Sequence, residues 1–143
     1  MPRYTVTIPS TRTPDDAFAY MSDMRLYPEW DRGIKKVELV AGDGPGAGAT
    51  YDVTVNGMRG GDSVIRYVTE EFVPGSTVLL VGRNRIFRSV DRVTVTPTPN
   101  GCDVTYDAVL TFNGLLSPLS IMLTGVFRKV GDSAARGMRK KLQ

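Results

Sequence analysis

The sequence predicts an α+β fold in which a curved, antiparallel sheet of seven strands lies around one long C-terminal helix. From residue 35 to 112, short apolar runs alternate with polar residues and are separated by turn residues, which is typical of half-buried strands. After Asn113 the apolar period changes to three and four residues, which is typical of an amphipathic helix. No repeat, low-complexity tract or linker divides the 143 residues, so we expect a single domain over 1–143.

The N-terminal elements are a strand and one or two short helices. Apolar residues alternate with polar ones over 2–9, and this predicts a strand. Thr13 is a suitable N-cap and is followed by a proline and two acids, so we expect a helix over 14–22. The stretch 25–31 is short and contains a proline, which favours a turn or one helical turn, with Trp30 anchoring it on the core.

Six further strands are expected between residues 34 and 112. The predicted ranges are 34–41, 49–56, 63–73, 76–83, 86–97 and 102–112. The short connections contain turn residues such as Asn100-Gly101, so consecutive strands should pair as a meander. The glycine-rich segment 42–48 continues into a strand and lacks a following Gly-Lys-Ser/Thr, so we interpret it as a hairpin turn and not as a phosphate-binding loop.

A long amphipathic helix is expected over 116–141, with Pro118 tolerated in its first turn. Its apolar stripe is formed by Leu115, Leu119, Met122, Leu123, Val126, Phe127, Val130, Ala134 and Met138. The bases of 128–141 lie opposite, and we interpret them as a solvated outer face, although such a face could also touch nucleic acid or anionic lipid. Three glycines each cost the helix about 1 kcal/mol, so packing on the sheet must stabilise it.

The composition excludes several kinds of chemistry. The chain has no histidine, which excludes His-based triads, His-ligated zinc and imidazole bases. One cysteine, Cys102, cannot form an internal disulfide, so a reducing cytoplasm is the simplest compartment. No apolar run approaches the roughly 20 residues of a membrane span, and the N-terminus lacks a signal pattern. We predict no metal and no cofactor.

A curved sheet around a single helix leaves space between the two, so this layout predicts a cavity lined by inward strand residues and the helix stripe. The order of elements, the sequence Leu-Tyr-Pro-Glu-Trp-Asp at 26–31, the glycine-rich loop, Gly114-Leu-Leu and the segment 127–135 carry a family resemblance. The chain resembles the START-like helix-grip (SRPBCC) superfamily, and within it the actinobacterial "polyketide cyclase/dehydrase and lipid transport" type, the branch shared with the birch-pollen allergen. The resemblance implies a ligand-binding fold, but members include lipid carriers, hormone receptors, aromatases and cyclases, so it selects no single activity.

The strand alternation and the helix stripe give the candidate ligand-binding residues. They are Trp30, Tyr51, Val53, Val55, Ile65, Tyr67, Phe87, Asp91, Val93, Tyr106, Ala108, Leu119, Met122, Leu123, Val126, Phe127 and Val130. Met58, an apolar residue in a glycine-rich loop, is either a gate to the cavity or a cover for the edge of the core.

Asp91 is the one candidate catalytic residue. Alternation places it inward with Val93, where burial would raise its pKa and where it could orient a polar ligand group or act as a general base beside a tyrosine. In the alternative, which we favour, the strand twists and Asp91 pairs with Arg66 or Arg88 at the rim.

A cluster of arginines, Arg83, Arg85, Arg88 and Arg92, lies on the fifth and sixth predicted strands. Pocket arginines are thought to hold a poly-β-ketone chain in the aromatase/cyclase relatives that the resemblance suggests. No defined catalytic motif is matched here, so a solvated edge is the expected role. The patch lacks interleaved aromatic residues, which argues against nucleic acid as a partner.

The leading hypothesis is therefore a binding or transport protein for a hydrophobic or amphipathic small molecule, lipid-like or polyketide-like, held between the sheet and the last helix. The alternative is a polyketide cyclase, aromatase or dehydratase that uses Asp, Tyr or Arg groups of the cavity. Membrane contact, through the basic helix face, would be peripheral at most.

Overall fold

The structure is a computed structural model that describes residues 2–56, 61–114 and 119–143, with side chains from residue 125 onward in the last range. Its strands are β1 (Arg3–Ser10), β2 (Ile34–Ala41), β3 (Thr50–Asn56), β4 (Asp62–Val73), β5 (Thr77–Arg83), β6 (Phe87–Thr98) and β7 (Gly101–Phe112). Its helices are α1 (Pro14–Ser22), a 3₁₀ helix (Met24–Glu29) and α2 (Leu119–Leu142).

The seven strands form one antiparallel sheet in the order β1-β7-β6-β5-β4-β3-β2. Strands β2 to β7 follow one another as a meander, because short turns join consecutive strands. Strand β1 pairs with β7 at the other edge of the sheet. Register shifts between β2 and β3 and between β4 and β5 are irregularities of the kind that bend a sheet. The α+β class and every predicted strand are confirmed, with ends that differ by one residue at most.

Helix α1 begins where the sequence signals predict. The Thr13 hydroxyl accepts the Asp16 backbone N–H at 3.2 Å, and α1 starts with Pro14. The stretch after α1 is the 3₁₀ helix, whose first turn is capped by the Asp23 carboxylate. Trp30 follows it and is buried, with its ring 4.6 Å from the ring of Tyr27.

The glycine-rich segment between β2 and β3 is a turn, as predicted. Gly42 and Gly48 both have positive φ, near +90° and +84°, which a side chain would disfavour. The Gly48 N–H donates to the Thr69 carbonyl at 2.9 Å, which ties the turn to β4. The segment therefore closes a hairpin and opens no helix.

The C-terminal part of α2 packs on β1 and on the turn at Trp30. Ala134, Ala135, Met138 and Leu142 are buried there. Two glycines that lower helix propensity are explained by this contact, because a Cβ at Gly137 would collide with the Trp30 carbonyl and one at Gly131 would collide with the Tyr4 ring.

The predicted start of the last helix near 116, and Pro118 within its first turn, lie outside the described residues. The described backbone of α2 ends at Leu142, one residue beyond the expected end. Its bases from Arg128 to Lys141 are exposed, as expected for a solvated outer face. In the part of the chain that the structure describes, no helix has both the length and the apolar character of a membrane span.

Candidate functional site

A cavity of about 640 Å³ lies between the concave face of the sheet and α2. Its floor is formed by alternate residues of the central strands, because the antiparallel register places Phe87 opposite Phe112, Ser89 opposite Leu110 and Asp91 opposite Ala108. All six of these side chains line the cavity. The period-two alternation of β6 and β7 thus builds one continuous wall.

The rings of three further residues, Tyr67, Trp30 and Tyr106, complete the inner wall. The Tyr67 ring lies against the backbone of β5 at Gly82, where an added Cβ would come within 2.6 Å of it. The Trp30 ring meets the Tyr106 ring edge-on, with the ring centres 5.8 Å apart. Burial raises the pKa of Tyr67 and Tyr106 well above 10, so both phenols keep their protons at neutral pH.

The described wall of the cavity contains a buried polar cluster, formed by Ser89, Asp91 and Tyr106. The Ser89 hydroxyl donates to Asp91 Oδ1 at 2.7 Å, and the Tyr106 hydroxyl donates to Asp91 Oδ2 at 2.5 Å. Asp91 is only 4% exposed, and burial raises its pKa from 3.8 to about 6 even though both hydroxyls stabilise its charge. The carboxyl group therefore changes charge within the physiological range.

The favoured interpretation of Asp91 as half of an ion pair at the rim is wrong. Arg66 pairs with Asp52 on the neighbouring strand, with 2.8 Å between Nε and Oδ1. Arg88 alternates with Ser89 on β6 and is exposed on the opposite face. Tyr106 on β7 and Ser89 on β6 provide enough hydrogen bonds to keep the carboxyl group inside.

A second carboxylate, that of Asp31, also lines the cavity. It follows Trp30, and its Oδ1 accepts the Gly33 N–H at 2.9 Å. Burial raises its pKa, and the Gly33 N–H opposes the rise. The charge of Asp31 also contributes to the raised pKa of Asp91.

The mouth of the cavity is largely apolar. Val126 and Val130 of α2 are about half exposed, at 53% and 48%, and Ile86 of the β5–β6 turn is 43% exposed. On the other side, Asp62 at the start of β4 forms an ion pair with Lys35, 2.8 Å apart. Val126 and Val130 of α2 therefore border an opening and are not part of a packed core.

Most of the predicted ligand-binding residues meet in this cavity. Those that line it are Trp30, Val55, Ile65, Tyr67, Phe87, Asp91, Tyr106, Ala108, Val126, Phe127 and Val130. Three others, Tyr51, Val53 and Val93, are buried in the core and are not part of the cavity wall, because neighbouring side chains cover them. The side chains of Leu119, Met122 and Leu123, and the predicted gate Met58, lie outside the described residues.

The list of candidate ligand-binding residues omits about as many lining residues as it contains. They are Tyr4, Asp31, Asn56, Gly61, Asp62, Ser63, Ile86, Ser89, Leu110, Phe112, Gly131 and Ala134. Ser89, Leu110 and Phe112 share the predicted inward faces of their strands, so alternation was a sufficient signal for them. Asp31 lies in an irregular turn, where no period indicates which way a side chain points.

The arginine cluster is solvated, as expected, but β5 and β6 are central strands, so it lies on their outer face and at the turn between them and not at an edge of the sheet. Arg92 pairs with Glu71 at 2.7 Å and Arg83 with Glu70 at 3.5 Å, while Arg85 and Arg88 are exposed. None of the four lines the cavity. Among the described residues, no three acidic or cysteine side chains converge on a point that could hold a metal ion.

The family model described as "Polyketide cyclase / dehydrase and lipid transport" matches residues 1–143. No curated protein sequence shows significant similarity to this chain. Solved structures with the same fold include a START superfamily protein from Mycobacterium smegmatis, 15% identical with a TM-score of 0.75 over 98% of this chain and 94% of that one.

Two more solved structures are similar over nearly the whole chain. The di-domain ARO/CYC StfQ of the steffimycin biosynthetic pathway is 15% identical, with a TM-score of 0.74 over 98% of this chain and 50% of that one. The chain thus spans half the length of that protein. A Chromobacterium violaceum protein is 12% identical, with a TM-score of 0.74 over 99% of this chain and 98% of that one. These likenesses confirm the helix-grip fold that the sequence resemblance implied.

Proposed function

We propose, from the premise that this chain belongs to the polyketide cyclase/dehydrase and lipid transport family, that it binds a lipid-like or polyketide-like small molecule in the cavity between the sheet and α2. The observation that carries the proposal is the cavity itself, about 640 Å³ with mainly aliphatic and aromatic walls. That volume falls within the range of about 300–1,000 Å³ that is typical of small-molecule sites.

Burial of ligand carbon would supply most of the affinity. If binding removes about 300 Å² of the ligand's apolar surface from water, the binding free energy becomes more favourable by roughly 7 kcal/mol, before the costs of ordering are subtracted. The polar cluster of Ser89, Asp91 and Tyr106 lies at the inner end of the same cavity and would fix the orientation of a polar group. Hydrophobic walls with a few convergent polar groups are the usual composition of such sites.

The test uses a neutral fluorescent probe, N-phenyl-1-naphthylamine, and a charge placed in the cavity mouth. Val126→Arg and Phe127→Arg should each weaken probe binding about tenfold or more, because the guanidinium must lose water or block the mouth. Val40→Arg is the matched control, since Val40 is similarly exposed at 44% but lies on β2, away from the cavity. If the two cavity variants fold normally and bind the probe as the wild type does, the site is assigned wrongly.

A second candidate function is a cyclase, aromatase or dehydratase reaction on a polyketide-like substrate. It is favoured by Asp91, a buried carboxyl group with a pKa of about 6 that faces an apolar cavity beside a protonated tyrosine. In this reaction the Asp91 carboxylate would take a proton from the carbon between two ketones, and the electron pair would move onto a ketone oxygen as an enolate.

The enzymatic hypothesis is tested with a hydrophobic 1,3-diketone such as benzoylacetone. NMR would measure how fast its central C–H exchanges with deuterium in the presence of the protein. We expect faster exchange with the wild type and a loss of that acceleration in Asp91→Asn. An Asp91→Asn protein that binds the diketone and exchanges it at the wild-type rate would eliminate Asp91 as the base.

A further inference from the structure

The direction of the hydrogen bonds in the polar cluster limits what the cavity can recognise. The Ser89 and Tyr106 hydroxyls both donate to Asp91, so neither proton is available to a ligand when Asp91 is ionised. A carboxylate accepts about four hydrogen bonds in total, so Asp91 retains lone pairs beyond the two that are used. These three residues therefore offer acceptors, and no free donor, to a ligand, whereas Tyr67, which also lines the cavity, keeps its phenol proton and is a separate donor.

The negative charge of Asp91 and Asp31 also limits which ligands the cavity can bind. Asp62 at the mouth is neutralised by Lys35, whereas Asp91 and Asp31 have no ion-pair partner in the described ranges. No lysine or arginine lines the described part of the cavity wall. A ligand carboxylate placed there would meet like charge in an apolar surrounding, which is the costliest arrangement for an ion.

Trp30 also carries a hydrogen-bond donor. Its indole nitrogen is buried and has no acceptor among the described residues, although the residue lines the cavity and is 97% buried. A buried donor without a partner costs free energy. The faces of Trp30, Tyr67 and Tyr106 can also attract a cation.

We infer that the ligand carries a hydrogen-bond-donating group, a hydroxyl or a protonated amine, on an apolar body, and that Asp91 makes the cavity reject carboxylates. The inference rests on the proposed function, because it names the class of molecule that the cavity takes. A hydroxyl can donate to Asp91. A protonated amine would instead supply a positively charged partner for the two carboxylates.

Four ligands that share one skeleton test the inference by calorimetry at about pH 7.5, where Asp91 is ionised. They are 2-naphthylmethanol, 2-naphthylmethylamine, 2-naphthoate and the hydrocarbon 2-methylnaphthalene. We expect the alcohol or the amine to bind at least about tenfold tighter than the naphthoate. In Asp91→Asn the difference should fall below about threefold, because the amide is neutral and donates as well as accepts.

Asp43→Asn is the matched control, since it removes one negative charge from the exposed β2–β3 turn and should leave the selectivity as it is in the wild type. A tighter amine than alcohol assigns the ammonium as the recognised group, and the reverse assigns the hydroxyl. Naphthoate that binds as tightly as both overturns the inference.

The hydrocarbon separates this inference from the proposed function. If 2-methylnaphthalene binds and the polar group makes no difference, the cavity binds ligands but the assignment to Asp91 is wrong. If none of the four ligands binds, the proposed function fails and the inference fails with it.

Discussion

The two described parts of α2 belong to the same amphipathic stripe but make different contacts. Toward the C-terminus, Met138 and Leu142 are completely buried against β1 and the turn at Trp30. Toward the N-terminus, Val126 and Val130 are about half exposed and line the cavity mouth. One part of the helix stabilises the fold, and the other part leaves apolar surface available to a ligand.

The glycines of the helix follow the same division. Gly137 and Gly131 lie where α2 approaches the Trp30 backbone and the Tyr4 ring too closely for a side chain. Gly125 precedes the cavity-lining Val126, and a Cβ added at Gly125 meets no atom within 4 Å. Close packing requires glycine in the first case, whereas in the second the structure gives no packing reason for it.

The largest expected effect comes from breaking the packed part. Gly137→Ala should lower the free energy of unfolding by more than about 3 kcal/mol, because its Cβ collides with the fixed Trp30 carbonyl. Gly125→Ala should raise it by about 0.5–1 kcal/mol through better helix propensity. Urea denaturation of both variants checks the pair. Equal effects at the two positions would contradict the division of α2 into a packed and an open part.

The next effect concerns the cavity that the open part covers. Two groups donate hydrogen bonds to Asp91, Ser89 on β6 and Tyr106 on β7. Other groups interact with it electrostatically, namely Tyr67 on β4, Tyr27 on the 3₁₀ helix, Asp31 in the turn that follows, and Asp107 on β7. A pKa of about 6 in the folded protein, against 3.8 for an ordinary aspartate, means that folding favours the protonated form. The difference corresponds to about 3 kcal/mol.

The sign of the pH effect follows from that preference. The stabilisation is fully present below pH 3.8 and is lost as the pH rises through about 6. Relative to Asp91→Asn, the wild type should therefore lose up to about 3 kcal/mol of unfolding free energy between about pH 4 and 7. Using the difference between the two proteins removes the opposite contributions of Asp52 and Asp107, whose pKa values are lowered. A difference that is flat with pH would mean that Asp91 is solvated.

The sequence predicted the sheet well because its signals are local. Turn residues mark every strand end, and alternation correctly selected the inward faces of β4, β6 and β7. How deeply a residue is buried depends on elements distant in the sequence. Val126 and Met138 therefore look alike in the apolar stripe, although Val126 is half exposed and Met138 is buried.

The error at Asp91 has the same origin. An inward aspartate on a strand looked too costly because the Tyr106 hydroxyl that stabilises it comes from another strand. Likewise, nothing in the period of the stripe indicated that Gly137 faces a carbonyl 107 residues earlier in the chain, at Trp30.

The smallest expected effect concerns the end of the packed part. The Arg12 guanidinium donates from Nε and Nη2 to the Lys141 carbonyl at 3.0 and 2.7 Å, and the Ser10 hydroxyl donates to the Leu142 carbonyl. A cation at a helix C-terminus interacts favourably with the helix dipole, so Arg12→Ala should cost about 1 kcal/mol of unfolding free energy. Arg128→Ala, an exposed base in the same helix but away from its end, should change it by less than about 0.5 kcal/mol.

Hydrogen exchange would show where the Arg12 effect is felt. Protection should fall at the last turn of α2, because the loss of a cap first releases the end of a helix. It should stay unchanged in β6 and β7, and probe binding in the cavity should also persist. If Arg12→Ala instead weakened probe binding as strongly as Val126→Arg, the end of the helix and the cavity mouth would form one cooperative unit, and the distinction between the two parts of α2 would not hold.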